Sequence, residues 1–415
     1  MTVPAQNTPS PSRVMAIAIS SAFLIGLDAM VVAPLIPAIA EDTGAPARLG
    51  GLLVSMYALL FALSAPLFGA LSDRLGRRRI LTIGLVVFVV GNALTGVGLN
   101  FGFLLACRAV SGLGAAMIMP SVYAMISDTH PFEQRGKAIG KVVAGLLSSS
   151  VVGVPIGSYL AYLTSWSAAF FVIAAATAVV LVLVLVLLPE MAGPSAGKPQ
   201  KTSAAKAVLG MVRSAVSTPA VLFVLACTLL WAAALYGLFS NIGTFYAERF
   251  HLNEAQAGLT IMGSGAGSMA GALLGGRIAD RVGKRTVMVV AALVAATGVI
   301  ATPLIGDNLV LVLIAFIAWG TAVGIGQPCL TALVSELRPE IRGTALALNS
   351  SAQYLGMMLA TSLAALLLER GASFVVIGVI CGVCALLVLP LLAGIKGAAG
   401  TVAAQEKQAA QEVAR

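Results

Sequence analysis

Two side chains in this 415-residue chain are placed to do chemistry, Asp28 and Arg108. Both are plainly ionisable, and both stand well inside long apolar runs, 14–40 and 101–126. A charge in an apolar medium is costly, so such residues face a cavity or a partner. A carboxylate in that position can bind and release a proton. An arginine within reach holds it ionised, and separating the two or drying the carboxylate favours proton uptake. Asp28 lies about twelve residues from the end of its run, and Arg108 about seven from the start of its own. At about 1.5 Å per helical residue the two depths differ by roughly 8 Å, which a long arginine partly bridges. Two readings stay open. Asp28 carries a proton, or it is a structural partner of Arg108 at a helix kink beside Gly26. For Arg108, the structural role stands beside direct ligand contact.

The second half of the chain has no comparable charge inside its runs. Its polar and aromatic candidates for a binding cavity are Trp231, Tyr236, Asn241, Trp319, Gln327, Asn349, Gln353 and Tyr354. Asn349 and Gln353 are four apart and share a helix face. Neutral amides and rings suit hydrogen bonding and stacking around a partly apolar ligand. The competing reading is hydrogen bonding between helices. His130 and His251 fall in loops without metal-like company, and the five cysteines show no disulfide or zinc spacing, so no metal and no cofactor are expected. No nucleotide-binding loop occurs, which argues against ATP-driven chemistry, and no clustered nucleophile or metal site suggests an enzyme.

The elements that carry these residues are read from composition. Apolar residues make up 59% of the chain and charged residues 10%, with a mean hydropathy of +1.00. A soluble protein of this length could not cover so much apolar surface with so little charge. A helix that crosses a bilayer needs about 20 residues. Apolar runs at 14–40, 49–72, 80–98, 101–126, 137–163 and 167–189 predict six spans. Six more follow at 219–247, 255–278, 286–305, 309–335, 343–368 and 372–395. The expected organisation is a disordered N-terminus over 1–13, a six-helix bundle over 14–189, a polar linker over 190–218, a second six-helix bundle over 219–395 and a tail over 396–415. The net charge of +9 reflects topology rather than nucleic acid. Of 25 Lys and Arg residues, 21 fall on the side of both termini and the linker and three, Arg48, Arg249 and Arg370, on the other. The positive-inside rule predicts both termini in the cytoplasm.

The phrase Gly69-Ala-Leu-Ser-Asp-Arg-Leu-Gly-Arg-Arg-Arg79 returns as Gly276-Arg-Ile-Ala-Asp-Arg-Val-Gly-Lys-Arg-Thr286. Asp73 and Asp280 stand 207 residues apart, as do Arg135 and Arg342, while Pro120 and Pro328 differ by 208. Charged loop residues in register at half the chain length point to an internal duplication of the kind that builds membrane transporters. Gly263, Gly267, Gly271 and Gly275 form a four-residue ridge for close helix contact. Gly140, Gly145, Gly153 and Gly157 with Pro155 predict a thin, bent fifth span that serves as a sealing or sliding contact between bundles.

The repeated loop after the second and eighth spans resembles the signature of the major facilitator superfamily, and the resemblance covers residues 14–395. It implies two pseudo-symmetric bundles of six helices around a central cavity, which rock to open it alternately to each side. It also implies a cytoplasmic latch involving Gly69, Asp73, Arg74, Gly76, Arg77, Asp280 and Arg281, made when the cavity opens outward. The plainer reading is that these arginines fix topology and touch anionic headgroups. Arg108-Ala-Val-Ser-Gly112-Leu-Gly114 is similar to the arginine motif of proton-coupled efflux members, and Gly145 with Gly153-Val-Pro155-Ile-Gly157 resembles the motif of the twelve-span drug:proton antiporters. In the latter, Val154 separates Gly153 from Pro155, and Ser158 stands where a second glycine is common.

The resulting expectation is a proton-coupled exporter of a small, partly apolar compound in a bacterial inner membrane, working as a monomer among lipids. Asp28 and Arg108 would couple the proton. If substrate and proton compete for Asp28, cations or neutral amphiphiles are favoured, whereas an anion would use Arg108. The alternatives are a sugar, metabolite or lysolipid transporter, including an uptake symporter, and a membrane receptor or assembly protein without flux.

Overall fold

The computed structural model describes residues 10–189, 206, 209–210, 213, 219–337 and 342–413. Among the described residues there are helices and no strands. In chain order they are α1 (Pro11–Thr43), α2 (Gly51–Leu75), α3 (Arg77–Val97), α4 (Phe101–Thr129), α5 (Phe132–Ser148), α6 (Val154–Leu163) and α7 (Trp166–Leu187). The second half holds α8 (Pro219–Phe239), α9 (Ile242–Phe250), α10 (Glu254–Val282), α11 (Lys284–Leu304), α12 (Leu309–Leu337), α13 (Arg342–Glu369) and α14 (Phe374–Val413). Joined as α5–α6 and α8–α9, they supply 12 helices long and apolar enough to cross a membrane. The expected linker over 190–218 lies outside the described residues save for a few isolated positions, and so do residues 1–9. The first helix begins at Pro11, three residues before the expected start, and the last runs on through the expected tail to Val413.

Local chemistry explains the ends. Asn100 caps α4 by accepting from the Phe103 amide at 2.9 Å, and Asn253 with Gln256 forms a capping box on α10. The two copies of the repeated phrase make the same turn. Gly76 (φ 97°, ψ 142°) ends α2 and starts α3, and Gly283 (φ 91°, ψ 135°) ends α10 and starts α11. Helices joined through one residue need a backbone that side-chain-bearing residues rarely adopt, hence glycine at both places.

Two spans depart from simple helices. The fifth contains a π-helical segment, Ser149–Gly153, just before Pro155. Proline has no N–H to donate and its ring crowds the preceding turn, so the hydrogen-bond ladder is re-routed there. The seventh, expected as one run over 219–247, is broken at Ser240 and Asn241, and α9 restarts from Asn241. The break brings Gly243 against the Ala33 carbonyl of α1, an approach that a β-carbon would block.

In the first half, α3 packs on α4 and α7, α2 on α4, and α1 on α5. In the second, α10 and α11 pack on α12, and α13 and α14 on α8. The glycine ridge of α10 meets Ile317, Thr321 and Ile325 of α12, one four-residue spacing against another. The halves meet where α2 crosses α13, α6 crosses α10, and α1 crosses α9. Val179, Val182 and Val186 on α7 and Val290 and Leu293 on α11 are exposed, as expected of surfaces that lie against lipid chains.

On the face away from the repeated basic loops, the halves are tied together. Arg48 donates through Nε and Nη2 to both carboxylate oxygens of Glu248 at 3.2 and 3.0 Å. About two turns further along α2, the Ser55 and Thr361 hydroxyls are 2.6 Å apart. On the basic face, Arg77 pairs with Asp73 and, through Nε, with Asp128 Oδ2 at 3.1 Å, both within the first half.

Candidate functional site

The structure brings Asp28 and Arg108 into direct contact. Arg108 Nη1 donates to Asp28 Oδ1 at 2.5 Å and Nη2 to the Asp28 main-chain carbonyl at 3.2 Å. Both side chains are buried, at 0% and 1% exposure. The arginine stem thus closes the difference in depth expected from the helix positions. Gly26 positions the carboxylate, because α1 lies so close to Ser149 and the Leu146 carbonyl that a side chain would not fit. Gly112, one turn after Arg108, does the same for α4 against the Tyr57 backbone. Asp28 Oδ2 and Arg108 Nε have no hydrogen-bond partner. A buried pair with unmet polar atoms is a weak stabiliser, since desolvation offsets most of its Coulomb energy. Separating it while both groups stay dry would leave unpaired charges, so it can open only as water enters or as the carboxylate takes up a proton.

Aromatic side chains surround the pair. The guanidinium carbon of Arg108 sits 4.8 Å from the Tyr57 ring centroid and 5.9 Å from that of Phe170. Phe61, one turn beyond Tyr57 on α2, stacks on Tyr354 of α13 with centroids 3.6 Å apart and planes 19° apart. Tyr57 and Tyr354 are 6.4 Å apart. Tyr57, Phe61 and Phe170 are functional candidates that the search for polar residues passes over. For Tyr57 and Phe61 the signal was their four-residue spacing, which puts both rings on one face of the second span, while Phe170 on α7 carried none.

The remaining candidates divide by position. Tyr354 and Tyr236 are partly buried, and Gln327 Nε2 donates to Gln353 Oε1 at 3.2 Å across α12 and α13. Asn349 accepts the Thr228 hydroxyl at 2.7 Å, a bond between α13 and α8. Trp231 fills the space left by Gly326, and Trp319 packs on Gly298, both inside the second half. Asn241 donates to Ser240 at 3.1 Å beside Gly51, at the seam on the face away from the basic loops. These eight share a polar or aromatic character within the spans of the second half, and their contacts differ from helix to helix.

The glycines of the fifth span line a groove for α1. Gly145 faces Ile19, Gly153 faces Phe23 and Leu27, and Gly157 faces Val31, while Pro155 and Ser158 meet Gly258 of α10. In the repeated loop Gly69 faces Pro120, Arg77 is buried, Arg74 is partly buried and Arg281 is exposed. The Asp280 side chain lies outside the described residues.

The family model described as Major Facilitator Superfamily matches residues 18–361 and 243–414. The chain is 30% identical over 352 residues to "Uncharacterized MFS-type transporter YceJ" of Bacillus subtilis (strain 168), covering 85% of this chain and 88% of that one. It is 37% identical over 139 residues to the quinolone resistance protein NorA of Staphylococcus aureus, 34% of this chain and 36% of that one. The crystal structure of a D-xylose-proton symporter superposes with a TM-score of 0.73 at 18% identity, covering 91% of this chain and 97% of that one, which speaks to the fold. Twelve apolar helices among the described residues, with the same glycine turn at Gly76 and at Gly283, agree with these matches: the chain is a multi-pass membrane protein that belongs to the Major Facilitator Superfamily of transporters.

Proposed function

We propose that the protein exports a small, partly apolar compound in exchange for protons, with Asp28 as the group that carries the proton. The observation that carries this reading is the fully enclosed contact between Asp28 and Arg108 at 2.5 Å. A carboxylate held beside an arginine stays ionised. When the arginine is drawn away in an apolar surrounding, the carboxylate takes up a proton, so the state of the pair can follow the state of the bundles. The partial similarity to a quinolone resistance protein supports export and a drug-like cargo. The basic face is assigned to the cytoplasm from the excess of Lys and Arg there, and the membrane to a bacterial inner membrane.

In this arrangement the cavity is closed by the seam of Arg48, Ser55, Glu248 and Thr361 on the outer face. Asp73 and Arg77 serve the opposite closure, which forms when the seam parts. Tyr236, Gln327, Gln353 and Tyr354 contact the cargo, while Trp231, Asn241, Trp319 and Asn349 hold the walls. The protein acts as a monomer among lipids, with no cofactor. A second reading is uptake of a hydroxylated metabolite with a proton, favoured by the hydrogen-bonded amides of Gln327 and Gln353.

The test is proton movement in proteoliposomes containing a pH-sensitive dye, with a panel of amphiphiles, sugars and amino acids, on the parent protein and Asp28→Asn. Substrate-triggered proton flux in the parent that is absent in the variant is the expected result, and its sign separates exchange from symport. Flux that survives Asp28→Asn overturns the assignment of Asp28.

A further inference from the structure

Tyr57 is fully buried, yet its hydroxyl has no hydrogen-bond partner. A buried phenol with an unmet hydroxyl is kept for its ring or for a partner found in another state. The ring has two engagements here. One face lies 4.8 Å from the Arg108 guanidinium carbon, within cation–π range. The other neighbour is Tyr354, which belongs to the opposite bundle, 6.4 Å away at 47°. Phe61, one turn along the same helix, stacks on that same Tyr354. The backbone of Tyr57 is pinned by Gly112 of α4, so the ring cannot retreat from Arg108 without moving α2 against α4.

Bundles that rock apart along α2 and α13 must pull Tyr354 off Phe61 and Tyr57. The face of Tyr57 is then open to water, and a cation on a ring is held much more weakly when the site is wet than when it is dry. We propose that Tyr57 is a positioning residue that ties the Asp28–Arg108 pair to bundle separation, through its ring contacts with Arg108 on one side and Tyr354 on the other. This rests on the proton-coupling reading above and adds the link by which one half senses the other. The hydroxyl is dispensable and the ring is not. The ionisable groups around the pair and its aromatic neighbours are Tyr57 on α2, Cys107 and Tyr123 on α4, Tyr236 on α8 and Tyr354 on α13, while α7 brings the neutral Phe170 ring and the π segment after α5 brings Ser149 beside Gly26.

The experiment reads conformation, not transport. Spin labels are placed at Leu75→Cys and Val282→Cys, exposed ends of α2 and α10 on the basic face, after replacement of the five native cysteines. Label-to-label distances are measured in lipid nanodiscs across a pH series. The parent is expected to change distance with a single midpoint, and Y57F to keep that midpoint. Y57L weakens the hold on Arg108, so the carboxylate takes its proton at higher pH, and the midpoint rises by about one unit, a tenfold change in proton affinity. Y354L moves it the same way by about threefold in affinity, and the double variant moves no further than Y57L. A midpoint unmoved in Y57L, or shifted equally in Y57F, overturns the proposal while leaving proton coupling intact. Parent distances that ignore pH overturn the coupling reading itself, and this inference with it. If Y57L does not fold by size-exclusion chromatography, Y354L decides: an unmoved midpoint there overturns the link between the halves.

Discussion

Asp28→Asn offers a measurement that separates a structural pair from a working one. The change keeps the shape of the side chain and removes the charge that faces Arg108 at 2.5 Å. At 1% exposure the guanidinium cannot turn to water, and its remaining partners are the neutral amide oxygen of the new side chain, the main-chain carbonyl of residue 28 and the rings of Tyr57 and Phe170, none of which carries a compensating charge. Breaking one side of a buried pair costs about 3–5 kcal/mol, because the orphaned charge stays buried. Removing both charges, as in Asp28→Asn with Arg108→Gln, costs less, since no uncompensated ion remains. We expect a coupling energy of about 1–3 kcal/mol in the double-mutant cycle. Reversible unfolding in mixed micelles, followed by the fluorescence of buried Trp231 and Trp319, measures the stability side. Proton-coupled flux in proteoliposomes measures the functional side. If Asp28 carries the proton, the double variant regains stability but not flux. Flux restored in the double variant would show that the pair only holds α1 to α4, and the proton-coupling argument would fail.

The outer-face bridge between Arg48 and Glu248 is 40% and 42% exposed, so Arg48→Gln should shift the balance away from outer closure by at most about fivefold, and less in high salt. Distance measurements across that face at two salt concentrations check this. Gly283→Ala forces a side chain into φ 91° and should cost about 1–3 kcal/mol, while Gly276→Ala, helical with open space around it, should be neutral or stabilising. Thermal unfolding of the two variants side by side decides. Asp73→Asn removes one of the two carboxylates that pair with Arg77, leaving Asp128, and is expected to change the conformational balance with no change in topology, readable by label accessibility from each side of the membrane.

Much of the architecture is legible in the residues because it is written locally. A run of about 20 apolar residues can satisfy its backbone in a bilayer only as a helix or a closed barrel, so hydropathy places all twelve spans within a few residues. The offset between Gly76 and Gly283 foretells a repeated turn, since φ near 90° selects glycine wherever it occurs. Asp28 and Arg108 stand out by the cost of charge in an apolar medium. Contacts between helices are another matter, for they depend on the rotation and crossing of elements far apart in sequence. The 2.5 Å meeting of Arg108 with Asp28, the ring of Tyr57 beneath it, and the stack of Phe61 on Tyr354 exist only in the packed molecule. So does the division between Gln327 and Gln353, which face each other, and Trp231 and Trp319, which fill gaps at Gly326 and Gly298. A polar or aromatic residue in a membrane helix has the same sequence signature whether it meets a ligand or a neighbouring helix, and only tertiary packing distinguishes them.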